Sequence, residues 1–212
     1  MSKKNYLAIF AKSFNWAGFF LPQKTYHDCS NLYAFCRVLD DLADGNDSLE
    51  LRVERFNEIK NIFKKNYEEK TNSENELDQK EYTLIVNDMV ILANNNNIKR
   101  IILEDLIEGV ESDLRPKVYL RSVKDLLVYS YKVAGTVGLM MAKILNVNDT
   151  RSLKGAIDLG IAMQLTNIAR DVIEDQKMNR QYIKPDFENI EATLKLADMF
   201  YESSFSSIKK IP

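Results

Sequence analysis

The chain has 212 residues, of which 45% are hydrophobic and 28% charged, with a formal net charge of -2. That length favours a single domain over 1–212 with a sizeable core, and the near-neutral charge excludes bulk attraction to nucleic acid. With one histidine, His27, a His-based zinc site is not expected. Cys29 and Cys36 read as small buried hydrophobes rather than a metal or redox pair.

The chain holds only seven glycines and four prolines. No proline lies between Pro22 and Pro116, and no glycine between Gly45 and Gly109. This is too little turn chemistry for a β protein, and helical spacing recurs instead. Helices are predicted over roughly 3–19, 24–44, 49–67, 78–94, 98–114, 122–145, 150–176 and 188–208.

The second of these carries Leu32, Phe35, Cys36 and Leu39 at i, i+3, i+4, i+7. The same helix carries "RVLDDLAD", in which Asp40 and Asp44 share one face about 6 Å apart along the axis. Arg37 precedes Asp40 by one turn, on the same side. After two further helices, Ile98, Ile101, Ile102 and Leu106 form a looser apolar series.

The sixth helix contains "VAGTVGLMMA", residues 133 to 142, an uncharged and mainly apolar run. It falls short of the ~18–20 residues of a membrane span, and no basic-then-apolar leader opens the chain. A cytoplasmic, reduced protein is expected. Gly135 and Gly138 interrupt this helix, each costing about 1 kcal/mol against alanine. Two explanations are open. Either helices pack closely there, or the wall is cut back for a ligand beside Val133, Ala134, Val137, Met140 and Met141.

The seventh helix repeats the acidic theme in "QLTNIARDVIED". Asn167, Asp171 and Asp175 are spaced i, i+4, i+8 and turn by about 40° per step, with Arg170 among them. Acidic pairs at i, i+4 are usually solvated helix faces. Two of them, each with an arginine in an otherwise apolar helix, also suit a diphosphate site. There, carboxylates would hold Mg²⁺ and arginine would grip phosphate oxygens. Spacing alone leaves both explanations standing.

Six segments occur together and in order: "AKSFNWAGFFLP", "LYAFCRVLDDLADG", "LIEGVESDL", "YSYKVAGTVGLMMAKIL", "AMQLTNIARDVIED" and "NRQY". With them the chain resembles the squalene and phytoene synthase family, over most of residues 11 to 182. Its wording is closer to the phytoene synthases. The resemblance implies an all-α isoprenoid (terpenoid) synthase bundle around a central cavity, here without the family's last helices. It also implies Mg²⁺-dependent (or Mn²⁺-dependent) head-to-head condensation of two geranylgeranyl diphosphates, through a cyclopropyl diphosphate to phytoene, with no NADPH. Squalene or dehydrosqualene synthesis from farnesyl diphosphate is the alternative enzyme, and a non-catalytic helical partner the alternative of another class.

By resemblance, Asp40, Asp44, Asn167, Asp171 and Asp175 match metal-binding positions. Arg37, Arg170 and Arg180 match diphosphate contacts, and Ser13 and Phe14 match a flap beside the site. Tyr129, Gln164 and Tyr182 match cavity-lining or catalytic positions. Arg37 and Asp41 join Tyr129 and Tyr182 as catalytic candidates, and Val133 and Gly138 join the substrate-binding set. A prenyl diphosphate is the expected partner, with peripheral membrane contact at product release. One departure is local: Tyr182 is followed by Ile183, Lys184 and then Pro185, where the family has proline two residues on.

Overall fold

In a computed structural model, residues 20–68 and 81–208 are described. They form helices joined by short turns, and Cα packing divides the chain into two units that meet at Ile98–Lys99. The expected first helix, with Ser13 and Phe14, lies outside the described residues.

The first unit contains α1 (Gln23–Asp44), α2 (Leu49–Glu68) and α3 (Glu81–Asn95). Pro22 sits just ahead of α1, where its missing N–H is no loss. Leu32, Phe35 and Leu39 are buried, as their spacing requires, together with Cys29 and Ala43. Phe56, Ile59 and Phe63 of α2 and Val86, Met89 and Ala93 of α3 complete the core of this unit. Both cysteines are free thiols. Burial, helped by Asp28, pushes the Cys29 thiol up to about 11, and burial raises Cys36 as well. These are packing residues with little thiolate at neutral pH.

The second unit runs through α4 (Arg100–Glu111), a 3₁₀ turn (Ser112–Leu114), β1 (Val118–Tyr119) and α5 (Val123–Ser130). A π-helical turn (Tyr131–Gly135) leads into α6 (Thr136–Ile144). Then follow α7 (Thr150–Arg170), α8 (Val172–Lys177), β2 (Arg180–Gln181) and α9 (Phe187–Ile208). Helix α9 packs along α7. Polar ties cross that contact: Ser203 Oγ donates to Asp158 Oδ2 at 2.7 Å, and Lys154 also pairs with Asp158.

Several expectations are refined. The predicted 122–145 helix exists, but an extra residue widens one turn at 131–135. The 150–176 helix breaks at Asp171, whose φ of -99° and ψ of 14° depart from helical values. Ile101 is exposed, and the buried face of α4 is instead Ile102, Leu103, Leu106, Ile107 and Val110. Beyond the expected helices, Val118 pairs with Arg180 and Tyr119 with Gln181 in a two-residue parallel pairing.

Helix ends explain how so few glycines suffice. Asn97 and Asn146 take φ of 52° and 60° just after α3 and α6. Asparagine tolerates this left-handed conformation better than most residues. The next N–H then reaches back, Ile98 to Ala93 O at 2.9 Å and Val147 to Ala142 O at 3.0 Å, closing the last turn.

Candidate functional site

Helix α1 presents the first acidic stripe at its C-terminal end. Its opposite face is fixed in the core by Leu32, Phe35 and Leu39, so Asp40, Asp41 and Asp44 are left exposed. Arg37 turns to Asp41, with Nη2 2.7 Å from Oδ1. Asp41 thus sits in ion-pair contact with Arg37 at the exposed end of the stripe. The stripe reaches back to Tyr33, whose phenol is raised by partial burial, lowered by Arg37 and raised by Asp40 and Asp41.

The second stripe spans the junction of α7 and α8. Leu165, Ile168 and Val172 are buried and hold the segment from the apolar side. Asn167, Asp171 and Asp175 lie half-buried on another face. Although α7 ends at Arg170, the stripe keeps its helical spacing. Asp171 N–H donates to Asn167 O at 2.8 Å, and Asp175 N–H donates to Asp171 O at 2.9 Å. Arg170 grips Asp171 with both arms, Nε to Oδ1 and Nη2 to Oδ2, each at 2.6 Å. That fork lowers the Asp171 carboxyl below the usual range, with Arg170's hydrogen bonds the first cause. Gln164 lies half-buried one turn before Asn167–Ile168 on α7.

Both stripes therefore pair an arginine with one of their own aspartates. Both offer oxygen donors only, which suits Mg²⁺ or Mn²⁺ rather than Zn²⁺. Among the described residues no three Asp, Glu, His or Cys side chains form a closed metal cage. A Mg²⁺ ion that shares itself between one or two carboxylates and substrate phosphates does not need one.

The remaining candidates fall into two groups. Tyr129 of α5 and Tyr182, just after β2, stack with ring centroids 4.7 Å apart and planes at 24°. Both are buried. Their hydroxyls meet Asp113, on the 3₁₀ turn, at 2.7 Å (Tyr129 to Oδ2) and 2.8 Å (Tyr182 to Oδ1). The two phenol oxygens are 3.0 Å apart. Buried Arg180 donates through Nη2 to Asp113 O at 3.4 Å. Burial, and next the charge of Asp113, push both phenols well above their ordinary range. Parallel pairing of β1 with β2 is what carries Arg180 and Tyr182 to this place. Asp113 stands in the segment "LIEGVESDL", where no local pattern marks it out. No spacing rule joins residues 16 and 69 positions apart.

The second group is Val133 and Gly138. Val133 lies in the π-helical turn and packs on the cluster of Leu126, Tyr129 and Leu165. Gly138 faces α7 so closely that a Cβ would stand 2.1 Å from Ala156 O. The reciprocal contact is Gly160, whose Cβ would stand 2.3 Å from Ala134 O. Close helix packing therefore accounts for Gly138, and of the two explanations open for it the geometry favours that one over a wall cut back for ligand.

Among the described residues no helix is long and apolar enough to cross a membrane. Comparison with known proteins adds the lineage. The squalene/phytoene synthase family model matches residues 8–203. A 15-cis-phytoene synthase of Paracoccus sp. is 37% identical over 186 residues, covering 84% of this chain and 57% of that protein. Another, from Enterobacter agglomerans, is 35% identical over 185 residues, covering 84% and 59%. The chain thus spans between half and two thirds of the length of these relatives. A solved dehydrosqualene synthase superposes with TM-score 0.73 at 27% identity, over 97% of this chain and 75% of that one. A squalene synthase from Alicyclobacillus acidocaldarius shares the fold, with TM-score 0.73 at 17% identity over 96% and 81%. With an all-α isoprenoid synthase fold, both acidic stripes in place and a family match over nearly its whole length, the chain belongs to the squalene/phytoene synthase family.

Proposed function

We propose that this chain acts as a phytoene synthase, a prenyltransferase that joins two geranylgeranyl diphosphates head to head. One observation carries the proposal: two helix faces bear oxygen-only ligands, and each keeps an arginine bound to its own aspartate. That is the donor set a metal-bound diphosphate calls for. The two relatives described above, at 37% and 35% identity, are named 15-cis-phytoene synthases, which favours geranylgeranyl diphosphate.

In this scheme Asp40 and Asp44, and separately Asn167, Asp171 and Asp175, are the residues that would hold Mg²⁺ or Mn²⁺. When bound, the metal supplies charge neutralisation on the leaving diphosphate. Arg37, Arg170 and Arg180 bind phosphate oxygens, and Asp41 keeps Arg37 oriented until substrate arrives. Ser13 and Phe14 are proposed to cover the diphosphate, and Val133 and Gln164 to line the prenyl chain. Excluding water protects the allylic cations from capture. The first condensation yields a cyclopropyl diphosphate, and its ionisation and rearrangement yield phytoene without a reductant. The product is a hydrocarbon, so peripheral contact with a membrane at release is part of the proposal.

A second substrate has a specific observation behind it. The dehydrosqualene synthase superposes over 97% of this chain, so farnesyl diphosphate is the competing substrate. The test is incubation of the chain with each labelled diphosphate and Mg²⁺, followed by chromatography of the hydrocarbons. A C40 hydrocarbon from geranylgeranyl diphosphate is expected. A C30 product alone would move the assignment to farnesyl diphosphate, and consumption of neither would make the chain a non-catalytic member of the family.

A further inference from the structure

A condensation that starts from allylic cations and ends in a neutral hydrocarbon must release protons. Resting on the function proposed above, the question is which groups of this chain could take them.

The tyrosine pair and Asp113 form a closed triangle of oxygens. Tyr129 Oη lies 2.7 Å from Asp113 Oδ2, Tyr182 Oη lies 2.8 Å from Oδ1, and the phenol oxygens lie 3.0 Å from each other. Three contacts at hydrogen-bond distance require three hydrogens. Two phenols and an ionised carboxylate bring two. The triangle is one proton short, and protonation of Asp113 supplies it without moving a heavy atom. The exposure is graded as well. Both tyrosines are buried, whereas Asp113 is only half-buried, so the carboxylate is the member with a route to water.

We propose that Asp113 is a positioning residue that holds both phenols by their protons and receives a proton when a tyrosine oxygen deprotonates the reacting cation. With each phenol proton given to Asp113, each oxygen keeps a lone pair that is not spent on the carboxylate and can act as a base. In the step itself, the C–H bond next to the cationic carbon breaks. Its electron pair closes the new C–C or C=C bond. The proton goes to the phenol oxygen, and the phenol's own proton passes to Asp113. The cation becomes a neutral product, the carboxylate becomes a carboxylic acid, and no oxidant or reductant is involved. Asp113 then returns its proton to water between turnovers. The stacked rings and the Arg180 contact to Asp113 O keep the triangle in place while this happens.

The test compares the full chain with Asp113→Asn, Asp113→Glu, Tyr129→Phe and Tyr182→Phe. Asparagine keeps the shape but cannot take up the proton. Relative to wild type, Asp113→Asn is expected to lower kcat by roughly 10²-fold with KM held. It should also raise the share of alcohols formed by water capture of undeprotonated cations. Asp113→Glu should recover part of the loss. Wild-type kcat and product ratio in Asp113→Asn would overturn the proposal. A second readout is independent of turnover. Tyrosinate absorbance is titrated over the alkaline range in which helical circular dichroism is retained. Asp113→Asn should ionise at least one more tyrosine than wild type, because the carboxylate that opposes phenolate is gone. Equal counts would overturn Asp113's hold on the phenols. If wild type consumes neither diphosphate, the functional proposal fails by itself, and the titration still decides whether Asp113 controls the two tyrosines.

Discussion

Asp171→Asn separates a metal-holding role from a structural one. The substitution keeps the size and polarity of the side chain and removes one negative charge. In the ligand-free protein the loss is confined to the fork with Arg170, at 2.6 Å on each arm. That pair is well exposed, with side-chain accessibilities of 66% and 38%. Solvent-exposed pairs contribute about 0–1 kcal/mol, so the metal-free Tm should move by no more than about 4 °C. The backbone bonds through Asn167, Asp171 and Asp175 involve no side chain and survive the change. Turnover is different. If this carboxylate helps neutralise a leaving diphosphate, its loss should cost roughly 10²-fold or more in rate, about 2.7 kcal/mol. The sign of the acid dependence follows as well. The folded-state pKa of Asp171 is lowered, so its pairing contributes fully above the ordinary aspartate pKa of about 3.9. That contribution is lost as pH falls through the lower folded value. The variant should lack this part of the acid sensitivity. The assay is thermal melting and turnover of wild type and variant, with and without Mg²⁺. Near-normal turnover would refute the metal role. A large fall in metal-free Tm would instead make Asp171 a structural residue.

Gly138→Ala should destabilise by about 1–3 kcal/mol in urea unfolding despite alanine's better helix propensity, because its Cβ would press within 2.1 Å of Ala156 O; a more stable variant would show that the helices separate freely. Asp158→Ala should cost about 2–3 kcal/mol, since the carboxylate is buried and joins Lys154 and Ser203 across α7 and α9; a change below 0.5 kcal/mol, roughly the scale of ordinary surface substitutions, would contradict that tie. Product formation should stop in excess chelator and return with Mg²⁺ or Mn²⁺, and full turnover with chelator present would remove the metal from the scheme.

Helix positions were legible because burial imposes a period on the sequence. Leu32, Phe35 and Leu39 had to share a face, and their depth in the core leaves Asp40 and Asp44 outside. Helix ends were legible for a similar reason. "NNNN" and "NVND" stand where asparagine must adopt a left-handed conformation. The break at Asp171 was not legible, because its spacing agrees with an uninterrupted helix and the backbone bonds on either side keep that spacing. Nor was the choice at Gly138, since a close partner and an open pocket both ask for a missing side chain. Only the position of Ala156 O decides.

Asp113 marks the deeper limit. Its neighbours in sequence form a short 3₁₀ turn, and an aspartate in a turn ordinarily needs no explanation beyond local hydrogen bonding. What gives this one a distinct environment is a two-residue strand pairing that returns Arg180 and Tyr182 beside a helix begun at Val123. The pairing is carried by Val118 N–H to Asn179 O at 3.0 Å and Leu120 N–H to Gln181 O at 3.2 Å. Backbone groups make those bonds, so side-chain identity does not announce them. Asn179 contributes a left-handed φ of 59°, which turns the chain out of α8 and into the pairing. A position that looks like loop composition therefore sets the approach of Tyr182 to Tyr129. A side chain that disfavours that conformation at 179 should loosen the tyrosine pair from outside it, while leaving the acidic faces of α1 and α7 as they are.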